Sequence, residues 1–223
     1  MINRITLFLG VLLTASFSLS AQDQNVKPKK TSVKTTAVEN DKDKVSVEAE
    51  KERKAMMDYM TPGPMHKMLM SANGEWTEYI TLWRSPGALA ESIEATCTNK
   101  MILGDLYQES IHKGMMMGMP FEGRGTCGYD NAKKVFQSTW VDNMGSGIMF
   151  LEGKYDETSK AITMKGKMID PATGKTENVR EVLKFVDNNL QLMEMYVTKN
   201  GKEFKNMEIK LSRKSEGGEA PKK

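Results

Sequence analysis

Residues Gly123–Asp156 read GRGTCGYDNAKKVFQSTWVDNMGSGIMFLEGKYD. Short runs of alternating character are broken at Tyr129-Asp130-Asn131, at Asp142-Asn143-Met144-Gly145 and again at Tyr155-Asp156. Asp, Asn and Gly suit such points because they tolerate left-handed backbone or bond their own main chain. The runs between them have the length of ordinary strands, about 6 to 9 residues. The pattern is an antiparallel meander. A meander that closes on itself encloses an interior, where a ligand can be held.

The same rhythm extends in both directions. Strands are predicted near 75–84, 91–103, 106–112, 121–128, 135–141, 148–155, 162–169, 179–186, 190–197 and 204–213. Turn signals connect them, among them Ser85-Pro86-Gly87, Gly104-Asp105, Asp170-Pro171-Ala172-Thr173-Gly174, Asp187-Asn188-Asn189 and Asn200-Gly201. Ten short strands with hairpin links and no helix between them predict a mainly β, up-and-down antiparallel barrel. A two-sheet sandwich is the alternative.

Helical signals lie upstream. Val45, Ala49, Met56 and Met60 share one stripe, and Glu50 stands four residues before Lys54. Pro62-Gly63-Pro64 interrupts the helix, and Pro64 suits the first turn of a second, short one with Met65, Met68, Leu69 and Ala72 on its apolar face. Residues 44–72 are therefore expected to form a helical cap on a barrel spanning 73–214. Residues 1–22 carry a short basic start, an apolar core at Ile5–Leu13 and small residues suited to cleavage, which is the pattern of a secretory signal peptide. No cysteine lies there to accept a lipid, so the expected product has no membrane anchor and is periplasmic or secreted. Residues 23–43, polar and without aromatics, are expected to be a disordered tether, and 215–223 a flexible tail.

The 223 residues carry a net charge of +3, and acidic residues nearly balance the N-terminal lysines, so no nucleic-acid partner is implied. Oligomeric state is not readable. Cys97 and Cys127 both fall on inward phases of their strands. If one strand separates theirs, they lie about 9.6 Å apart, beyond the roughly 7 Å that a disulfide spans between Cα atoms. Free thiols are the preferred reading, with a bridge left open because an exported protein permits one.

The chain also resembles a bacterial family of unknown function, domain of unknown function 1579, grouped with the calycins. The residues that carry the likeness include Pro64-Met65-His66-Lys67-Met68-Leu69, Gly74-Glu75-Trp76, Gly118-Met119-Pro120-Phe121-Glu122-Gly123, Trp140-Val141-Asp142-Asn143-Met144-Gly145 and Asp170-Pro171-Ala172-Thr173-Gly174-Lys175. The likeness covers about 60–214 and implies a lipocalin-like barrel with no established activity. Some calycin-like barrels bind haem through a histidine on a late strand. The late strands here contain none, so no cofactor is expected.

Candidate chemistry is sparse. The two histidines, His66 and His112, are far apart in sequence, and no spacing matches a zinc motif, a phosphate loop or a nucleophile elbow. No metal ligands and no catalytic residues are therefore assigned, and an enzyme is the least favoured class. The nineteen methionines fit copper chemistry, but core lining or an adaptable ligand wall is preferred. The ligand-binding candidates are His66 on the short helix, Trp140 and Asp142 at the end of a strand, and Arg180. Glu194, Glu208 and Asp142 are weighed as partners for Arg180, whose strand has an ambiguous inward face. The expected role is binding a small apolar or amphiphilic molecule, such as a fatty acid with its head at Arg180. The alternative is a structural or envelope interaction module whose barrel is filled by its own side chains.

Overall fold

The computed structural model describes residues 36–214, with side chains from Val45 onward. The expected signal peptide (1–22), most of the expected tether (23–35) and the expected tail (215–223) lie outside the described residues. Of the described residues, 36–45 fall in one compact unit and 46–214 in another. Helix α1 runs Thr36–Met60 and α2 Pro64–Met70. Helix α1 thus begins well before Val45, inside the stretch expected to be disordered; no Gly or Pro interrupts 36–60. Glu50 pairs with Arg53 rather than Lys54, and Lys54 pairs with Asp58.

The ten strands are β1 (Gly74–Leu82), β2 (Glu91–Ile102), β3 (Tyr107–Met116), β4 (Met119–Asp130), β5 (Val135–Asp142), β6 (Met149–Asp156), β7 (Ala161–Ile169), β8 (Thr176–Asp187), β9 (Leu190–Lys199) and β10 (Lys202–Arg213). Each pairs antiparallel with its sequence neighbour, and β1 pairs with β10 to close the barrel. The meander of β4 to β6 is as its turn residues predict. Asp130 Oδ1 accepts from the amides of Ala132 and Lys133, and Asp142 Oδ1 from Met144. These side-chain acceptors satisfy turn amides that the ladder leaves free.

Inward alternation builds two apolar clusters. One joins Leu69, Met101, Phe136, Leu151, Ile162, Met164, Val179, Met195 and Val197. The other joins Ala72, Trp76, Ile80, Ala95, Cys97, Ile209 and Leu211. Met149, Met168, Met193 and Met207 pack against this core as expected of core lining, whereas Met115, Met117 and Met119 at the β3–β4 turn are exposed.

The two ends of the barrel differ. The end where β1 begins is plugged by α2, whose Leu69 is buried together with Ala72 just beyond the helix. Within residues 46–60 the stripe of α1 is not part of this plug: Met56 and Met60 are exposed. The end of α1 is nonetheless tied down, since Asn131 Nδ2 donates to the carbonyls of Asp58, Tyr59 and Thr61. The opposite end, where β1 finishes, carries the loops 83–90, 143–148 and 170–175. Among the described residues no helix is long and apolar enough to cross a membrane.

Candidate functional site

The first three strands direct polar side chains into the barrel in phase with apolar ones. On β1 the inward residues are Trp76, Glu78 and Ile80, and Glu78 is fully buried. Cys97 and Asn99 on β2 are buried too, and His112 on β3 lies directly opposite Cys97 in the ladder. His112 Nδ1 lies 3.0 and 3.1 Å from the two carboxylate oxygens of Glu78. His112 Nε2 lies 3.8 Å from Cys97 Sγ, and that thiol donates to Asn99 Oδ1 at 3.2 Å. The ring of Trp140 meets His112 edge-on at 4.9 Å between centroids. Trp140 fits there because position 123 is glycine: a Cβ at Gly123 would collide with its indole. Trp140 Nε1 donates to Asp142 Oδ2 at 2.7 Å, which fixes the ring from its other side.

Two more titratable groups lie inside the barrel. Burial pushes the Glu181 carboxyl up to about 7, opposed by the positive influence of His112. Burial also raises the Cys127 thiol to about 12, with a further push from Glu181. Both residues keep some solvent-accessible surface, but the barrel wall surrounds their polar atoms, so the rise in each is the expected direction. The Cys97 thiol is raised more strongly, by burial first and then by the Glu78 charge. A Cys–His–carboxylate row suggests nucleophilic chemistry. A buried thiol held protonated, with 1% of its surface exposed, is the opposite of an activated nucleophile. What the row does offer is S, N and O donors: one ligand atom each from Glu78, Cys97 and His112 lie within 4.8 Å of one another.

The open end holds a hollow of about 270 Å³. Leu82, Trp83, Met168, Val197 and Phe204 form its apolar wall, and Asp170, Glu177, Lys199 and Asn206 its polar side. Lys199 Nζ lies 3.2 Å from Asp170 and 3.8 Å from Glu177. The Asn206 amide oxygen is buried without a partner. A larger hollow of about 470 Å³ lies on the other side of Trp83 and Phe204. It is bounded by Thr81, Glu208 and Lys205, and the last of these is held by Glu194 and Glu208. That hollow lies on the outer flank of the barrel and has a weaker apolar wall.

The residues singled out from sequence do not form one site. Trp140 and Asp142 border the inner polar row. His66 is at the plugged end, on α2, where its Nδ1 accepts from the Gly63 amide at 2.9 Å. That bond requires the neutral ring with its proton on Nε2, and burial lowers its pKa accordingly. Nε2 has no partner at hydrogen-bond geometry, although the Tyr129 carbonyl is close enough to favour its proton. Arg180 faces outward. It forms a two-pronged pair with Glu203 at 2.9 and 2.7 Å and lies over the Tyr196 ring, so it pairs with none of Glu194, Glu208 and Asp142. Val179, Leu183 and Phe185 take the inward phase of β8. Cys97 and Cys127 are free thiols, four residues out of step across β3, since Cys97 faces His112 and Cys127 faces Gln108.

Sequence reasoning missed Glu78, Glu181 and the pairing of Cys97 with His112. The signal available was a charged residue in the inward phase of a strand, as in Trp76-Thr77-Glu78-Tyr79-Ile80.

The chain belongs to the family described as "Protein of unknown function (DUF1579)", which matches residues 61–213. Its fold is similar to that in the crystal structure of Rv2717c from M. tuberculosis. The TM-score is 0.53 at 12% identity, covering 70% of this chain and 100% of that one. At that identity the likeness concerns the fold alone. No curated protein matches the chain.

Proposed function

We propose that the protein binds a small amphiphilic molecule at the open end of its barrel. One observation carries this reading: the hollow combines an apolar wall with an inward cluster of Lys199, Asp170 and Glu177. The apolar body of the ligand packs on Leu82, Trp83, Met168, Val197 and Phe204, and its polar end meets the charged cluster. A volume of about 270 Å³ is at the lower edge of ordinary small-molecule sites. The ligand is accordingly smaller than a long-chain fatty acid. The fatty-acid carboxylate expected at Arg180 has no place in this reading, because Arg180 is on the outer surface beside Glu203.

Native mass spectrometry of the purified protein, followed by titration of short amphiphiles against tryptophan fluorescence, tests the proposal. A retained small molecule, or a saturable change that Phe204→Ala weakens, supports it. No retained molecule and no change with amines, alcohols or carboxylates would leave a self-filled structural barrel instead. We further propose that the protein acts outside the cytoplasm after loss of residues 1–22. N-terminal sequencing from separated cell fractions tests this, and an intact Met1 in the cytoplasmic fraction refutes it.

A further inference from the structure

We propose that Glu78, Cys97 and His112 bind one Zn²⁺ ion inside the barrel, at a site separate from the open-end hollow. The three residues come from adjacent strands, and the β2–β3 register sets Cys97 opposite His112. Their ligand atoms lie within 4.8 Å of one another. Zinc bonds of about 2.3 Å to sulfur and 2.0–2.1 Å to nitrogen place those two atoms about 3.6 Å apart in a tetrahedral site. Cys97 Sγ and His112 Nε2 are 3.8 Å apart. Cys97 and His112 need little movement, whereas the Glu78 carboxylate, which lies against Nδ1 on the other side of the ring, must swing towards Nε2 to become the third ligand.

Charge points the same way. Glu78 is fully buried beside Trp76, Ile80 and Ala95, and its one ion-pair partner among the described residues is His112. One carboxylate, one thiolate and a neutral imidazole carry two negative charges, which a divalent ion cancels. Binding replaces the S–H bond of Cys97 with a Zn–S bond and releases that proton to solvent. The mixed donor set also selects the ion. Magnesium and calcium prefer oxygen alone, copper(I) prefers soft sulfur and imidazole to carboxylate, and zinc accepts all three donors. Trp140 braces the imidazole edge-on, and the Asn99 amide oxygen, 3.2 Å from Cys97 Sγ, is a further oxygen ligand beside the site.

The test uses the full chain with Zn²⁺ or Co²⁺ alone, added both to native protein and during refolding from denaturant, because the thiol is enclosed. Bound metal is counted by atomic emission after desalting, and Co²⁺ is followed by its thiolate charge-transfer absorption. The expected result is one ion per chain, a raised Tm and a near-ultraviolet cobalt–thiolate band. Cys97→Ser removes the band, Cys97→Ser and His112→Gln each lower affinity at least tenfold, and Cys127→Ser changes neither. Circular dichroism verifies that Cys97→Ser, the most nearly isosteric variant, remains folded. Failure of the wild type to take up metal by either route overturns the proposal. So does binding by folded Cys97→Ser that equals the wild type.

Discussion

The two ends of this barrel solve opposite problems with the same strands. At the plugged end, apolar burial and hydrogen bonding coincide. Leu69 and Ala72 fill the opening, and the carbonyls that the helix end leaves free are taken up by the barrel wall. Gln108 donates to the Leu69 carbonyl, Trp76 Nε1 to Ala72 at 2.9 Å, and Arg213 to Ser71 and Asn73 while lying over the Trp76 ring. Helix ends need such partners when they are buried. At the open end no helix is docked among the described residues. Lys199 lies between Asp170 and Glu177, and Asn206 retains a buried oxygen without a partner. Each end keeps one buried polar atom without a partner, His66 Nε2 and Asn206 Oδ1, but the open end also leaves an apolar wall and a charged cluster for something else.

The largest expected effect tests the plug. Truncation to residue 73 should destabilise the barrel by more than Leu69→Ala, which itself should cost about 3 kcal/mol as a buried Leu deletion. Truncation to residue 61 should be nearly neutral, because the side chains of α1 from Ser46 to Met60 are exposed. Urea denaturation measures all three, and equal stability of the two truncations would show that α2 is not a plug.

Next is the interior carboxyl. The folded pKa of Glu181, about 7, is above the ordinary value of 4.5. Protonation therefore favours the folded state, so stability should fall as pH rises from about 4.5 to about 7 and stay lower above it, by at most about 3 kcal/mol. Glu181→Gln should flatten that part of the curve, which denaturation midpoints across pH would reveal. An unchanged slope would mean that Glu181 is solvated.

The open end gives a smaller effect. Phe204→Ala should weaken amphiphile binding about tenfold, or about 1.4 kcal/mol, with less loss of stability than Leu69→Ala. The reverse order would make the open end structural as well. The smallest effect is expected on the outer wall. Arg180→Ala should cost no more than about 1 kcal/mol, the ceiling for a partly exposed ion pair, and should leave amphiphile affinity unchanged in fluorescence titration.

Much of the fold was legible because strand alternation and turn chemistry are local. Asp130 and Asp142 act at the turns their neighbours imply, and Pro64 opens α2 as its fixed φ suggests. The helix stripe at Met56 and Met60 was legible too, but its exposure was not, since periodicity records which face is apolar and not whether anything covers it. The site was less legible. Arg180 and Glu181 are neighbours with comparable apolar residues on either side, and which of them enters the barrel depends on the pairing of β8 with β7 and β9.

By itself the sequence determined a ten-stranded antiparallel meander, because each turn and each alternation is written within a few residues. The expected barrel closes through β1 and β10, and only the tertiary structure decided against the two-sheet alternative, turned Arg180 outward and brought Glu78, Cys97 and His112 together. These three residues lie far apart along the chain, and no local spacing encodes their approach. The approach follows from strand register, which is fixed only when the whole barrel buries its inward face.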